Sequence, residues 1–471
     1  MHPAGALLLL LATCVFLVHT SRVCDTCKCE EGRVNCTNLN LSRHFEESEW
    51  PNATDMTITG VKFDYNSLVH VTEFPELSVT YLSFAHNQIV RIDKASFKNL
   101  KNLTELDLSH NYLTSANLFS DVFKGVYLPD EYLPLHNLKV LRLGSNAIHS
   151  LQQNLFEHVP NLKVLTLDEN PFIIIDFVTM VAINSLVLLE ELDLSYTQLS
   201  DLPDILHTPD KLHKLSLMGN NFTKVPSALM HSHALEELDF SNNPISVLNQ
   251  HNSFNGLDHL RVLRLSYMRN LSSVEVGALW LPSLEELYMS HNFKLKHIHP
   301  NALKWRANPQ EVEQWAPIKK LDLSHNELGS VDRQLLAHWD TLEYLNLAQN
   351  PWSCECENQW MVSTLLPTVG KSLEDQNLTC YVPIQMRNRK LTELEVRHYH
   401  MRCLDTRGNH PEKDAKMLVG VLIGVLVAVP LTIAAILLIR RTGIGANLFR
   451  SRGQNDYSKA FYSRADSVEH F

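Results

Sequence analysis

The chain has 471 residues, is 45% hydrophobic and 20% charged, and carries a formal net charge of −11. These proportions belong to a folded chain. The acidic balance argues against a dominant polyanionic partner, because nucleic acid or heparin-like chains need a basic field. G-x-S-x-G, H-E-x-x-H, G-x-G-x-x-G and Walker A patterns do not occur, so no motif points to an enzyme, a metal or a cofactor.

Residues 1–20 contain an apolar run from Ala6 to Val18, which predicts a secretory signal peptide cut near Thr20. Of nine cysteines, Cys14 leaves with that peptide. The other eight form two groups, Cys24, Cys27, Cys29 and Cys36, then Cys354, Cys356, Cys380 and Cys403. Even numbers in a secreted chain imply disulfides, and spacing alone leaves three pairings open in each group.

Between the groups, L-x-x-L-x-L-x-x-N-x-L recurs eleven times from Val79 to Trp352. Leu103-T-E-Leu106-D-Leu108-S-H-Asn111-Y-Leu113 is one copy. The asparagine positions are Asn87, Asn111, Asn146, Asn170, Asn220, Asn243, Asn292, Asn326 and Asn350, with Thr197 and Met268 in that place twice. Alternation within x-L-x-L-x predicts a short strand with every second side chain facing in. The asparagine is read as a buried ladder residue bonding backbone where the chain leaves the strand, and Met268 is expected to distort that ladder locally. Phe97 and Phe156 read as packing residues. Two spacings are long, Asn111 to Asn146 and Asn292 to Asn326, and place insertions near 114–135 and 301–314. Insertions into a repeat array emerge as loops.

The pattern and its spacing of mostly 23–25 residues resemble leucine-rich repeats. One such unit cannot bury its own apolar face, so stacking into a one-dimensional array is obligatory. C-x-x-C-x-C-x₆-C before the repeats is similar to the N-terminal cysteine cap of extracellular leucine-rich-repeat proteins. Asn350-Pro351-Trp352-Ser353-Cys354-Glu355-Cys356, with Trp360 after it, resembles the opening of their C-terminal cap. The resemblance covers roughly residues 24–403. It implies an α/β-type repeat fold: a curved leucine-rich-repeat solenoid with a parallel sheet on the concave face, disulfide caps and one transmembrane helix. It also implies the pairings Cys24–Cys29, Cys27–Cys36, Cys354–Cys380 and Cys356–Cys403. The expected organisation is a signal peptide (1–20), N-terminal cap (21–55), about eleven repeats (56–352), C-terminal cap (353–404), stalk (405–416), transmembrane helix (417–439) and cytoplasmic tail (440–471).

Residues 417–439 are 23 in number and uncharged, long enough to cross a hydrocarbon core of about 30 Å. Arg440 and Arg441 follow at once, and the tail bears six basic and three acidic side chains. That excess places the tail in the cytoplasm and the repeats outside, as a single-pass type I protein of the plasma membrane. The tail is too short for a folded signalling domain, so signalling would require an adaptor or clustering.

N-x-S/T sequons at Asn40, Asn52, Asn102, Asn221, Asn270 and Asn377 are expected glycosylation sites. Asn35 also heads a sequon, but lies inside the cap against Cys36. The expected partner-binding positions on the concave face are Tyr81, Asp107, Arg142, Asp193, Tyr196, Arg264, Tyr267 and Tyr288. Tyrosine and arginine combine contact area with a polar tip, whereas acid in L-D-L also serves simply as a soluble filler. His86, His110, His291 and His325 precede the ladder asparagine and define a column that could titrate near neutral pH. The expected function is non-catalytic recognition of an extracellular or cell-surface protein, a second copy included. Adhesion, an innate-immune pattern-recognition co-receptor, and an auxiliary subunit of a channel or receptor are the competing readings.

Overall fold

The computed structural model describes residues 22–51, 56–128, 131–206, 210–305, 313–401 and 411–442. It divides into two units, 1–399 and 400–471. In the first, fourteen strands form one sheet. β1 (Lys28–Glu30) and β2 (Arg33–Asn35) are antiparallel and belong to the N-terminal cap. From β2 onward every pairing is parallel, and the next twelve strands each come from one repeat. They are β3 (Gly60–Lys62), β4 (Tyr81–Ser83), β5 (Glu105–Asp107), β6 (Val140–Arg142), β7 (Val164–Thr166), β8 (Glu191–Asp193) and β9 (Lys214–Ser216). They continue as β10 (Glu237–Asp239), β11 (Val262–Arg264), β12 (Glu286–Tyr288), β13 (Lys320–Asp322) and β14 (Tyr344–Asn346). The middle residue of each is buried and its two neighbours face the concave side, mostly half-exposed.

Twelve repeat strands are one more than the sequence pattern counts. The additional unit is Ile58-T-G-Val61-K-Phe63-D-Tyr65-Asn66-S-Leu68, in which Val61 and Phe63 replace the leucines. Asn66 behaves as the first ladder residue: its Nδ2 donates to the carbonyls of Cys36 at 2.8 Å and Phe63 at 2.9 Å, and its Oδ1 accepts from Leu41 N–H at 3.0 Å.

The same arrangement repeats along the array. Asn111 Nδ2 donates to Phe84 O (3.0 Å) and Leu108 O (3.1 Å), and its Oδ1 accepts from Ile89 N–H (2.9 Å). Each amide thus closes backbone groups of its own repeat and of the one before it, where the strands end and no ladder partner exists. Thr197 substitutes by donating its hydroxyl to Leu194 O at 2.7 Å. At Met268 the expected distortion does not reach the sheet. The Met268 Sδ accepts from Asn243 N–H at 3.4 Å, and β10, β11 and β12 stay in register.

The 114–135 insertion folds into a turn of 3-10 helix (Ser120–Phe123) and a hairpin, Val126–Leu128 against Glu131–Leu133. It is anchored by Tyr132 Oη to His158 Nδ1 at 2.5 Å. The 301–314 insertion pairs Lys304–Trp305 with Gln314–Trp315, and 306–312 lie outside the described residues.

Both ends of the array are covered. Disulfides join Cys24 to Cys29, Cys27 to Cys36 and Cys354 to Cys380. Cys356 is also disulfide-bonded, and its expected partner Cys403 lies outside the described residues. At the N-terminal end His44, Phe45, Trp50, Phe63, Phe74 and Phe84 form a buried aromatic cluster. His44 is fixed in one tautomer: its Nε2 accepts from Thr72 N–H at 2.9 Å, so Nδ1 carries the proton and donates to Phe45 O at 3.1 Å. At the other end Trp352 is buried and donates to Leu347 O, while Trp360 donates to Val331 O at 2.8 Å.

In the second unit one helix runs from Pro411 to Thr442, and its segment Lys416–Arg441 is long and apolar enough to cross a membrane. The expected signal peptide and residues 443–471 of the expected tail lie outside the described residues.

Two outcomes follow. Asn292→Ala orphans Leu265 O and Met268 N–H, while Met289 O keeps the Asn326 amide, a cost of about 2 kcal/mol or more, whereas the exposed control Gln198→Ala stays within about 0.5 kcal/mol. Urea-unfolding midpoints of the repeat domain check both. Burial holds the His44 imidazole below its ordinary pKa. A folded-state pKa below the unfolded value means the unfolded chain binds the proton first. Stability is therefore full above the ordinary range near 6.5 and falls as pH drops below it. His44→Phe should flatten that acid-side loss in melting temperature between about pH 6.5 and 4.5.

Candidate recognition surface

The concave sheet carries two columns of side chains, one from the first and one from the third residue of each strand. Tyr81 stands in the first. Asp107, Arg142, Asp193, Arg264 and Tyr288 stand in the third, and all six are half-exposed. Tyr196 and Tyr267 do not belong to either column. They follow their strands by three residues and occupy a left-handed turn, with φ of 56° and 59°.

That turn position is left-handed in every repeat: Tyr65, His86, His110, Ser145, Glu169, Tyr196, Gly219, Asn242, Tyr267, His291, His325 and Gln349. It turns each backbone N–H toward the next repeat, as in His110 N–H to Gly144 O at 2.9 Å and Tyr267 N–H to Ser290 O at 2.9 Å. The side chains then rise along one rim of the sheet. Tyr65, His86 and His110 stack at 4.3 and 3.9 Å, and Tyr267, His291 and His325 stack at 4.6 and 4.2 Å. Burial lowers the pKa of His86 and His291, and the neighbouring imidazole adds to it. Gly219 is the exception a contact requires, since a Cβ there would come within 2.3 Å of the Tyr196 ring. Tyr196, Tyr267 and Phe293 line a groove of about 370 Å³.

On the strands the charges are organised across neighbours. Arg142 bonds Glu105 through Nε (3.1 Å) and Nη2 (3.0 Å), Lys214 pairs Glu191 at 3.1 Å, and Lys320 pairs Glu286 at 2.8 Å. Arg264 reaches Glu237 at 3.7 Å and lies 5.4 Å from the Tyr288 ring centroid. The Lys320 contact holds the Glu286 carboxyl below its ordinary pKa. Burial raises the Tyr288 phenol, which donates to Glu286 at 2.9 Å.

The aspartates of L-D-L-S, and of L-D-F-S at Asp239, have a local role beyond the filler or contact expected of them. Asp107, Asp193, Asp239 and Asp322 each accept the N–H of the serine two residues on, all at 2.9 Å. This is the Asx turn that bends the chain out of the strand. Half of each carboxylate is thereby committed, and the rest faces the concave side. At the N-terminal end Gly60 leaves the floor open, and Arg33, Lys62 and Tyr81 surround a depression of about 880 Å³.

Among the described sequons, Asn40, Asn102, Asn221, Asn270 and Asn377 are exposed and none lies on a repeat strand. Asn52 lies outside the described residues. Among the described residues no group of three or more His, Cys, Asp and Glu could hold a metal ion.

A parallel sheet with one strand per repeat, a side-chain amide ladder and disulfide-bonded ends define the class: the chain is a leucine-rich-repeat protein with cysteine caps. The leucine rich repeat family model matches residues 78–125 and 136–199, and a second matches 317–337. The CD180 antigen of Mus musculus is 24% identical over 355 residues, 72% of this chain and 45% of that protein. Podocan of Mus musculus is 27% identical over 380 residues, 73% of this chain and 58% of that protein. The chain thus spans less than two thirds of either relative. A solved chain from an octameric complex of Latrophilin 3, Unc5D and FLRT2 aligns at 21% identity with a TM-score of 0.49, covering 78% of this chain and 96% of that one.

Half-exposed ion pairs contribute little to folding. Arg142→Ala and Arg264→Ala should each lower stability by less than about 1 kcal/mol, measured by urea unfolding, so binding lost in these variants would report on contact and not on folding.

Proposed function

We propose that the chain is a non-catalytic cell-surface receptor or adhesion protein that binds an extracellular protein through its concave sheet. The observation that carries this is the arrangement of the concave columns. Arg142, Arg264, Tyr81 and Tyr288 stand on strands and are held by cross-strand contacts with Glu105, Glu237 and Lys62 and between Arg264 and the Tyr288 ring. Pre-ordered arginine and tyrosine side chains give up little entropy on binding and make efficient anchors. A broad open sheet suits a protein surface better than it suits a small substrate.

In this reading residues 1–20 are removed as a signal peptide, the repeats and caps face outward, residues 417–439 span the plasma membrane, and 440–471 reach the cytoplasm for an adaptor. Glycans at Asn40, Asn102, Asn221, Asn270 and Asn377 would stand off the repeat strands and leave the concave face open, and Asn52 is a further expected site.

A screen of the cell-displayed full-length chain against multivalent extracellular proteins tests the proposal. Saturable binding of one protein, lowered at least tenfold by Arg264→Glu with Tyr288→Ala at unchanged surface level, is the expected result. Binding indifferent to those substitutions would remove the concave sheet from recognition.

A further inference from the structure

The column of rings along the rim is interrupted in the middle of the array. Successive turn positions there are Tyr196, Gly219, Asn242, Tyr267, His291 and His325, and from Tyr267 onward the rings stack at 4.6 and 4.2 Å. The Tyr196 ring leans over Gly219, into the space that a Cβ would take. Only the Asn242 position then separates it from the Tyr267 ring. Gly219 and Tyr267 follow β9 and β11, two strand spacings apart, or about 10 Å. Two stacking steps of 4.6 Å or less fit that interval. A single planar side chain inserted over Asn242 would therefore meet a ring on each face. Met218 and Asn242, from the two intervening repeats, line this groove together with Arg269, His291 and Phe293.

The polar groups of the groove are uncommitted. On the strands Arg142, Lys214, Arg264 and Lys320 each meet a glutamate. Among the described residues Arg269 meets no carboxylate, and no side-chain hydrogen bond engages the Tyr196 or Tyr267 phenol or the Asn242 amide. None of the seven lining residues is Asp or Glu, in a chain that has 52 of them. His291, its pKa lowered by burial, is uncharged at neutral pH. The Arg269 guanidinium is thus the one charge of the lining, and its complement must come from a ligand. A carboxylate accepts two parallel N–H donors from a guanidinium. A sugar fits less well, because its hydroxyls donate as well as accept and the lining offers no carboxylate to receive them.

We infer that this groove captures an aromatic side chain flanked by an acidic residue, on an extended segment of the partner protein. The aromatic ring stacks between Tyr196 and Tyr267, and the carboxylate pairs with Arg269. The inference rests on the reading of the chain as a receptor for a protein and adds the feature that its partner carries. Tyr267 and Arg269 follow Arg264 in one repeat, and His291 and Phe293 follow Tyr288 in the next, so the groove continues from the concave anchors.

Cells displaying the full-length chain, panned with a phage-displayed library of random heptapeptides, test it without a known partner. Peptides with Phe, Tyr or Trp beside Asp or Glu should be enriched about tenfold or more over cells displaying Arg269→Glu at equal surface level. A synthetic peptide of the selected sequence, carried on a multivalent scaffold, should bind the wild type saturably. Its binding should fall about tenfold or more in Arg269→Glu and in Gly219→Asn, and stay unchanged in the distant control Arg142→Glu. Asn242 shows that this turn accepts asparagine at a positive φ, there 56°, so Gly219→Asn displaces the Tyr196 ring and keeps the turn. Peptide capture by a chain that binds no protein in the surface screen would support the groove and count against the wider reading. The inference is overturned if no peptides are enriched over Arg269→Glu, if the enriched peptides lack an acidic residue, or if Gly219→Asn binds like the wild type. Capture of a sialic-acid polymer in place of any peptide would overturn it as well, by making the occupant a glycan.

Discussion

The whole architecture depends on one repeated interaction, the asparagine side-chain amide that closes backbone groups where each strand ends. A three-residue strand cannot satisfy the backbone that leaves it, and a buried unpaired amide or carbonyl costs about 1–3 kcal/mol. Asn66, Asn87 and Asn111, and their counterparts as far as Asn350, supply donors and an acceptor at that point in nearly every repeat. Because each amide also reaches into the preceding repeat, it fixes spacing and register together. The concave columns, the stacked rim and the left-handed turn all follow from that fixed geometry.

Much of this was legible in the sequence because leucine spacing and the ladder asparagine are chemical necessities of the fold. The first repeat escaped because Val61 and Phe63 fill leucine positions that tolerate any large apolar side chain, so a leucine count misses it, although Asn66 was available as a signal. Tyr196 and Tyr267 were assigned to the concave face by counting along the strand. The chain turns left-handed before reaching them, and nothing in side-chain type declares a positive φ for tyrosine. The histidines of S-H-N read as a column, and the column proved to be two separate stacks, each ending on a tyrosine. Asp107 and Asp193 looked like surface acid because their Asx turns involve serine backbone, which no composition pattern exposes. The apolar helix Phe177–Asn184 was visible as a run of hydrophobic residues, but which of its faces would be open depended on how the return segment packs.

The surfaces therefore divide by origin. Concave side chains are placed by strands that the ladder holds rigid, and their ion pairs shape the face without adding much to stability. The rim is placed by turns, and its rings gain contact from stacking at the repeat spacing. The Phe177–Asn184 helix has no such internal account for its outer face, since neither the ladder nor the core uses it.

The concave face is most directly tested by placing a sugar on it. Asp107, Asp193, Asp239 and Asp322 each precede x-Ser, so a single Asp→Asn change at any of them creates an N-x-S sequon on a repeat strand while keeping an Asx-turn acceptor. Each variant is scored for an added glycan by mass and then for binding of the partner from the surface screen. The account predicts that glycans at Asp193→Asn or Asp239→Asn, in the middle of the sheet, abolish binding without loss of surface expression. Full binding by glycosylated variants at all four positions would contradict it.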